Sequence, residues 1–279
     1  PIESDKLPLT IPTQEAIEQL IEQYDRSLNW SDPGGPGVWT RDEWRTFDAW
    51  PPKSVTPKPM YLSANGALSL TKPTAAVASD SYVSDPAKPV PYTSAVSFGY
   101  YSLYPLEDQR FASRRPDVLV YQTDVLTDDM TLAGPIGVSL HFTTTGTDAD
   151  FIVKVIDVNP DSPGAGRGGN PMDGYQQLVK GDVFRARWRR SQETPQPLVP
   201  NKADSVNYVL HDVFHTFKKG HRLMVHVQST WFPLVDRNPQ KYVPNINSAS
   251  AADFQKATIT ILRSRVDASF VRLPVLPRN

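Results

Sequence analysis

Four of the chain's five histidines lie within sixteen residues, in the stretch HDVFHTFKKGHRLMVH. The spacings His211-x3-His215 and His221-x4-His226 both occur in zinc sites, where imidazole nitrogens bind the metal. Imidazole groups can also act as acids and bases near neutral pH. These residues therefore raise three possibilities: a metal site, a catalytic site or a structural role.

The strand pattern around the histidines argues against a shared metal. The alternation in HRLMVHVQS predicts a half-buried β-strand, whose successive side chains point to opposite faces. His221 and His226 are an odd number of residues apart, so they face opposite sides unless the strand bulges. His211 and His215 can share a face, but residues 216–220 are typical of a hairpin turn that separates the two pairs. We interpret these histidines as structural or solvent-facing.

The acidic stretch GTDADFIVKVIDVNPD could suggest calcium. Its aspartates are Asp148, Asp150, Asp157 and Asp161. The stretch lacks the glycine-centred loop and closing glutamate of an EF-hand. We expect these carboxylates to pair with cations such as Arg110, Arg114 or Arg115, because Asp–Arg pairing is common.

Two further features concern cations and large aromatic side chains. Arg185 and Arg187 alternate with apolar residues, which predicts a strand with one solvated face. Trp50 and Trp231 each lie close to prolines, in WPP and TWFP, where packing in a core or against another domain is the expected role.

The motifs of nucleophilic and nucleotide chemistry are missing. The sequence contains no G-x-S-x-G, no P-loop, no G-x-G-x-x-G and no H-E-x-x-H. The nearest approach to a nucleophile elbow, residues 137–141 (GVSLH), lacks the second glycine and lies in a strand pattern. The chain has no cysteine, so a thiol nucleophile is excluded. The residues alone indicate no catalytic centre, no metal and no cofactor.

The charge balance excludes several partners. Lys and Arg number 29 against 30 Asp and Glu, which gives no field that would attract nucleic acid or an anionic membrane. No stretch approaches the roughly 20 apolar residues of a membrane helix, and PIESDKLPLT lacks the features of a signal peptide. We expect a soluble chain, compatible with a processed or truncated product, whose compartment the sequence leaves open.

The elements that position these residues are mostly strands. One helix is predicted over residues 13–28, with Thr13 as N-cap, and a linker or long loop over residues 29–37. Asn65-Gly66 is a hairpin signal. The predicted strands are PMYLSANGALSL, TLAGPIGVSLHFTTT, ADFIVKVIDV, GDVFRARWRRS, HRLMVHVQS and ATITILRS. Strands without intervening helices favour an antiparallel sandwich or jelly roll.

Several blocks of sequence resemble one family. They include DQRFASRRPDVLVYQTDVL, the TDADF and DRNPQ segments, and GYQQLVKGDVFRARWR. Together they resemble the C-terminal domain of the α-amino acid ester hydrolase, cocaine esterase, glutaryl-7-aminocephalosporanic acid acylase and X-Pro dipeptidyl-peptidase family, also described as the CocE/NonD hydrolases. The resemblance extends from about Trp44 to the end of the chain.

The resemblance implies a mainly-β fold: a jelly-roll β-sandwich, similar to galactose-binding modules, that follows an α/β-hydrolase domain. The family's catalytic serine, acid and histidine belong to that hydrolase domain, and none matches this sequence. Residues 1–43 would then be a remnant of the hydrolase domain and a linker, and residues 44–279 the sandwich. The implied partner is an α/β-hydrolase catalytic domain, on the same or a separate chain.

The resemblance also implies a site. In the family, the segment before DQR forms one wall of the acyl pocket, and its counterpart here is SFGYYSLYPLEDQR. The implied pocket-wall residues are Tyr100, Tyr101, Leu103 and Tyr104. The alternative is that these tyrosines form a strand edge or a dimer contact, since tyrosine is common at interfaces.

Two functions remain open from the sequence. The first is the non-catalytic C-terminal part of a serine hydrolase that acts on small-molecule esters or amides or on peptides. Homo-oligomer contacts are a further possible role of this part. The alternative is a freestanding carbohydrate- or protein-binding β-sandwich module. Exposed aromatic residues on one sandwich face would favour the second. An apolar strip around Trp50, Trp231 and the N-terminal helix would favour the first.

Overall fold

The computed structural model describes residues 47–95, 102–161 and 172–277. The helix predicted over residues 13–28 lies outside these residues, as does the remnant predicted over residues 1–43. The predicted domain boundary therefore stays a prediction.

Eleven β-strands dominate the described residues. They are β1 (Thr56–Leu62), β2 (Leu68–Ser69), β3 (Ser79–Ser84), β4 (Leu119–Gln122), β5 (Met130–Thr144), β6 (Asp150–Val158), β7 (Gln176–Arg185), β8 (Asp204–Phe217), β9 (Arg222–Gln228), β10 (Ala257–Leu262) and β11 (Phe270–Leu276).

The helices of the described residues are short. One α-helix, α1, spans Arg110–Ser113. The 3-10 helices are Ala64–Gly66, Tyr104–Leu106, Ala186–Trp188, Ile246–Ser248 and Ala251–Asp253. Among the residues that the structure describes, no helix has the length and hydropathy needed to cross a membrane.

The strands form two antiparallel sheets. In the seven-stranded sheet, β5 pairs with β8 on one side, and on the other side with β11 and then with β10. β1 and β2 extend the sheet beyond β11, and β3 extends it beyond β10. The four-stranded sheet has the order β4-β9-β6-β7. The mainly-β fold class predicted from the sequence is confirmed.

Consecutive strands cross repeatedly between the two sheets. β5, β8 and β10 belong to the larger sheet, whereas β6, β7 and β9 belong to the smaller one. Connections that alternate between two packed sheets are typical of jelly-roll sandwiches.

The main core lies between the sheets, and a second one lies outside the smaller sheet. Phe151, Val153 and Val155 of β6 point into the main core. Ile152 and Ile156 of the same strand point outward, into a second cluster that loops cover. Every residue of β6 is therefore buried. Burial on both faces explains why FIVKVIDV is almost continuously apolar instead of alternating.

The strand predictions succeed where the apolar pattern is long. The segments assigned to β1, β2, β5, β6, β9 and β10 are confirmed, and Asn65-Gly66 connects β1 to β2 with positive φ at both residues. GDVFRARWRRS is a strand only as far as Arg185, after which residues 186–188 form a 3-10 helix. β3, β4, β8 and β11 were not predicted as strands.

The connection between β8 and β9 differs from the prediction. β8 continues to Phe217, and the His221 N–H donates to the Lys218 carbonyl at 3.0 Å to close the turn. The two strands join different sheets, so the segment is not a hairpin. The prediction that β9 is half-buried is also wrong, since loops cover its outer face. Alternation along a strand does not tell which of its faces a loop will cover.

Phe151 offers a test of the main core. Its ring lies 4.5 Å, centroid to centroid, from that of Phe142, and both side chains are fully buried. We expect Phe151→Ala to lower the free energy of unfolding by about 3–5 kcal/mol, because a cavity replaces the ring. Urea denaturation measures the change. The exposed Val209→Ala should change it by less than about 0.5 kcal/mol, and equal effects of the two substitutions would contradict the assigned core.

Candidate functional site

Two of the four residues implied to line a pocket lie within the described part of the chain. Leu103 and Tyr104 stand at the start of the 3-10 helix Tyr104–Leu106, whereas Tyr100 and Tyr101 lie outside the described residues. Tyr104 is in a helical turn and not on a strand edge.

Tyr104 anchors this turn on the outer face of the smaller sheet. Its ring lies 5.5 Å from that of Tyr92 and 5.7 Å, edge to face, from that of Trp231. The neighbouring Leu103 and Leu106 are instead 52% and 62% exposed. The turn therefore presents two leucines to solvent from a partly buried aromatic anchor.

The leucines border an open groove of about 630 Å³. The groove is lined by Leu103, Leu106, Phe111, Tyr175, Arg110 and Arg114, among other residues. The Tyr175 hydroxyl donates to the Leu106 carbonyl, which ties the turn to the start of β7. Arg110 pairs with Asp108. The groove has both apolar walls and charged side chains. Some of these charges are paired with opposite charges, as Arg110 is with Asp108.

A buried lysine lies beneath the residues that form this groove. Lys154 of β6 has no solvent exposure, and its Nζ donates to Gln109 Oε1 at 3.0 Å. The Nζ lies 4.8 Å from the centre of the Trp231 ring and 5.9 Å from that of Phe111. Burial lowers the pKa of Lys154 to about 7, because the interior disfavours the charged amine. The sequence signal for this residue, which the motif-based predictions missed, is a lysine inside the apolar run FIVKVIDV.

His226 is the cross-strand neighbour of Lys154. It is fully buried, and neither ring nitrogen has a hydrogen-bond partner among the described residues. Burial and the nearby Lys154 lower the pKa of His226 well below its usual range. His226 therefore stays neutral in the fold, which agrees with the structural role inferred for it.

His215 and His221 converge on a single carboxylate, which the spacing of the four histidines did not reveal. His215 Nε2 lies 2.8 Å from Asp157 Oδ2, and His221 Nδ1 lies 2.8 Å from Asp157 Oδ1. Burial alone would raise the pKa of Asp157, but the hydrogen bonds from both histidines outweigh it and lower that pKa. Asp157 thus connects β6 of the smaller sheet to β8 of the larger one.

The remaining member of the histidine stretch faces solvent. The His211 side chain is 84% exposed and lies 3.5 Å from Asp182. Within the described ranges, no group of three or more His, Asp or Glu residues is arranged to hold a metal ion. The stretch thus has a role in packing and in hydrogen bonding between the sheets.

Two of the four aspartates, Asp148 and Asp150, pair with arginines, but with other arginines than expected. Asp148 accepts from Arg187 at 2.6 and 2.8 Å, and both side chains are buried. Asp150 accepts from Arg185 at 2.9 Å. The predicted solvated face of Arg185 and Arg187 is therefore wrong, because the end of β7 and the following turn lie against the start of β6.

Three exposed aromatic side chains form a patch on the larger sheet. Phe47, Trp50 and Phe214 lie within 6.3 Å of one another, centroid to centroid, and are 37%, 46% and 49% exposed. Trp50 Nε1 donates to Asp212 Oδ2 at 2.5 Å, which fixes the indole. Trp231 is 5% exposed and belongs to the second cluster, so it does not share an exposed apolar strip with Trp50. We call Phe47, Trp50 and Phe214 the aromatic patch.

Comparison with known proteins places this fold in a family. Residues 21–272 match the X-Pro dipeptidyl-peptidase C-terminal non-catalytic domain. The chain is 31% identical over 244 residues to the cocaine esterase of Rhodococcus sp. (strain MB1 Bresler), in an alignment that covers 82% of this chain and 40% of the esterase.

Two solved structures are similar as well. A crystal structure of an aminopeptidase from the marine sediment archaeon Thaumarchaeota archaeon matches with a TM-score of 0.78 and 40% identity, over 84% of this chain and 39% of that one. An α-amino acid ester hydrolase matches with a TM-score of 0.74 and 44% identity, over 78% and 36% of the two chains. The chain thus spans about 40% of the length of these relatives. The resemblance drawn from the sequence blocks is confirmed.

Asp157 can be tested through the pH dependence of stability. At neutral pH, Asp157→Asn should lower the free energy of unfolding by about 1–3 kcal/mol, because charge-assisted bonds to two histidines are lost. The folded-state pKa of Asp157 is lowered, so its contribution is present above the unfolded value of about 3.9 and disappears as pH falls further. Urea denaturation from pH 7 to pH 3 should show wild type and variant converging.

The exposed His211 provides the control. His211→Asn should leave the free energy of unfolding within about 0.5 kcal/mol of wild type at each pH. A cost for Asp157→Asn that stays constant down to pH 3 would contradict the hydrogen bonds assigned to the Asp157 carboxylate.

Proposed function

The chain belongs to the family of X-Pro dipeptidyl-peptidase C-terminal non-catalytic domains, and we propose that it serves a serine hydrolase as pocket wall and docking module. The observation that carries the proposal is the family match over residues 21–272, joined to coverage of only about 40% of each relative. The rest of the relatives' length leaves room for a catalytic domain, on the same polypeptide or on a separate one.

The chemistry would belong to that catalytic domain. A serine would attack the carbonyl of an ester, an amide or a peptide and form an acyl-enzyme, with a histidine as general base and an oxyanion hole that stabilises the intermediate. The sequence of this chain has no motif for such a nucleophile. Its own contribution would be to shape and exclude water from the site where the acyl group binds.

The turn at Leu103–Leu106 supports the pocket-wall role. Leu103 and Leu106 are exposed on a turn that Tyr104 anchors to Trp231. Exposed apolar side chains on a turn that is already held in place are suited to cover an acyl group. Few further rotatable bonds of the turn then lose their freedom when the acyl group binds. Tyr100 and Tyr101, outside the described residues, are proposed for the same wall by the family resemblance.

The aromatic patch supports a docking role. Exposed aromatic side chains that contact one another commonly mark protein interfaces. The ring planes of the patch are tilted by 57° to 72° with respect to one another. Such tilted rings form an uneven apolar surface, which suits a protein partner better than a sugar, whose flat face stacks on a ring. We therefore favour docking to the catalytic domain over the alternative of a freestanding carbohydrate-binding module.

The proposal is tested first on the purified chain alone. We expect no hydrolysis of p-nitrophenyl acetate or of an amino acid ester, and no labelling by a fluorophosphonate probe, because the nucleophile lies elsewhere. Stoichiometric labelling of a serine in this chain would overturn the assignment as an accessory domain.

The docking role predicts a specific loss of binding. Trp50→Ala combined with Phe214→Ala should weaken binding to the catalytic domain of the same hydrolase at least tenfold, since truncated aromatic residues at interface centres commonly cost more than about 1.4 kcal/mol. Calorimetric titration of the separately produced domains measures this. Val266→Ala, at a position that is 74% exposed in the connection between β10 and β11, is the matched control. Equal binding by all three proteins would exclude the aromatic patch from the interface.

A further inference from the structure

Lys154 is a buried amine for which the described residues provide no counter-charge. Its Nζ bonds to the neutral Gln109 Oε1 and faces the rings of Trp231 and Phe111. It forms no ion pair with a described residue. A buried ammonium without a carboxylate is costly, and the amine reduces that cost by losing its proton.

The carboxylates on the same face of β6 and next to Gln109 in sequence are engaged with other partners. On β6, Asp150 bonds to Arg185 and to Asn238. On the segment before α1, Asp108 pairs with Arg110, and Glu107 accepts the Ser94 N–H at 2.7 Å.

The remaining neighbours offer no negative charge either. β9 presents the neutral His226. Tyr104 and Tyr92 pack against the Trp231 side of the cluster. On β7, the residue opposite Lys154 is Gly181, and the flanking Lys180 and Asp182 alternate to the other face.

The space around the amine can relax in one direction. On the β7 side, a Cβ added to Gly181 would lie 3.1 Å from the Trp231 ring and 3.3 Å from Lys154 Cγ, so the packing there is tight. On the other side, Gln109 and Phe111 belong to residues 103–113, whose regular elements are the 3-10 helix Tyr104–Leu106 and the four-residue helix α1. Hydration of the amine therefore requires residues 103–113 to move away from β6.

We propose that Lys154 is a positioning residue whose proton controls how residues 103–113 are held against the smaller sheet. The neutral amine donates to Gln109 and keeps the segment closed, and the ammonium favours an open arrangement in which water reaches Nζ. Residues 103–113 carry Leu103 and Leu106. If the proposed function holds, protonation of Lys154 also sets the position of the pocket wall that Leu103 and Leu106 form.

The direction of the pH dependence follows from proton linkage. In the closed arrangement the pKa of Lys154 is lowered to about 7, whereas a lysine in water has a pKa of about 10.4. Between these values the open arrangement binds a proton that the closed one lacks. Each pH unit above 7 should therefore favour closure about tenfold, and below pH 7 the dependence should vanish.

Hydrogen exchange on the chain alone provides the test. The Gln109 N–H donates to the Gln176 carbonyl at 2.9 Å, and the Gln176 N–H donates to Asp108 Oδ1 at 3.3 Å, so both amides bond across the contact between residues 103–113 and the start of β7. Protection factors of these amides, corrected for intrinsic exchange and measured where closing outpaces exchange, should rise about tenfold per pH unit from 7 to 9. Wild-type protection that does not change with pH would overturn the proposal.

Two variants separate the proton from the packing. Lys154→Met keeps an unbranched side chain of similar length without the titrating amine, so its protection factors should be independent of pH. Lys180→Met removes a neighbouring amine on the opposite face and should retain the wild-type dependence. A pH dependence that persists in Lys154→Met would assign the effect to another group and overturn the proposal.

A measurement on wild type keeps the proposal testable if Lys154→Met does not fold. The 13Cε resonance of Lys154, followed by NMR in chain labelled at lysine, should titrate within about one unit of pH 7, and a midpoint near 10.4 would overturn the proposal. Neither measurement involves the catalytic domain. Failure of the docking or activity experiments would therefore count against the proposed function and leave the lysine result intact.

Discussion

The complete burial of β6 is the constraint on which the rest of the structure depends. Its inward residues fill the core between the sheets, and its outward residues lie under loops that carry Tyr92, Tyr104 and Trp231. A strand in this position has no solvent-facing side on which to place a charge. Each ionisable group on β6 must therefore be paired with an opposite charge, lose its charge, or lie where a small movement lets water reach it.

The strand meets this requirement differently at each position. Asp150 pairs with Arg185 at one end, and Asp157 binds two histidines near the other. These contacts connect β6 to its neighbour β7 and to β8 of the opposite sheet. Lys154 in the middle has an amide oxygen and aromatic rings in place of a counter-charge. The charged ends of the strand stabilise the sandwich, whereas its centre retains an amine whose charge depends on pH.

This organisation links the scaffold to the proposed pocket wall. The loops that bury the outer face of the smaller sheet also carry the turn with Leu103 and Leu106 and the residues of the groove. The aromatic patch lies on the larger sheet. The proposed functions thus rest on different parts of the sandwich, and substitutions can address each of them separately.

The sequence by itself determined the fold class, the family and the absence of a nucleophile motif. Apolar alternation and turn residues are local signals, and they identified β5, β6 and β9 because side-chain direction along a strand follows its backbone. The tertiary structure alone decided which partners the polar groups meet. Asp157 binds His215 and His221, Asp148 binds Arg187, and Lys154 lies under residues 103–113, through pairings between residues distant in sequence. Strand periodicity specifies which face a side chain occupies, but the loop that covers that face is chosen by packing of the whole chain.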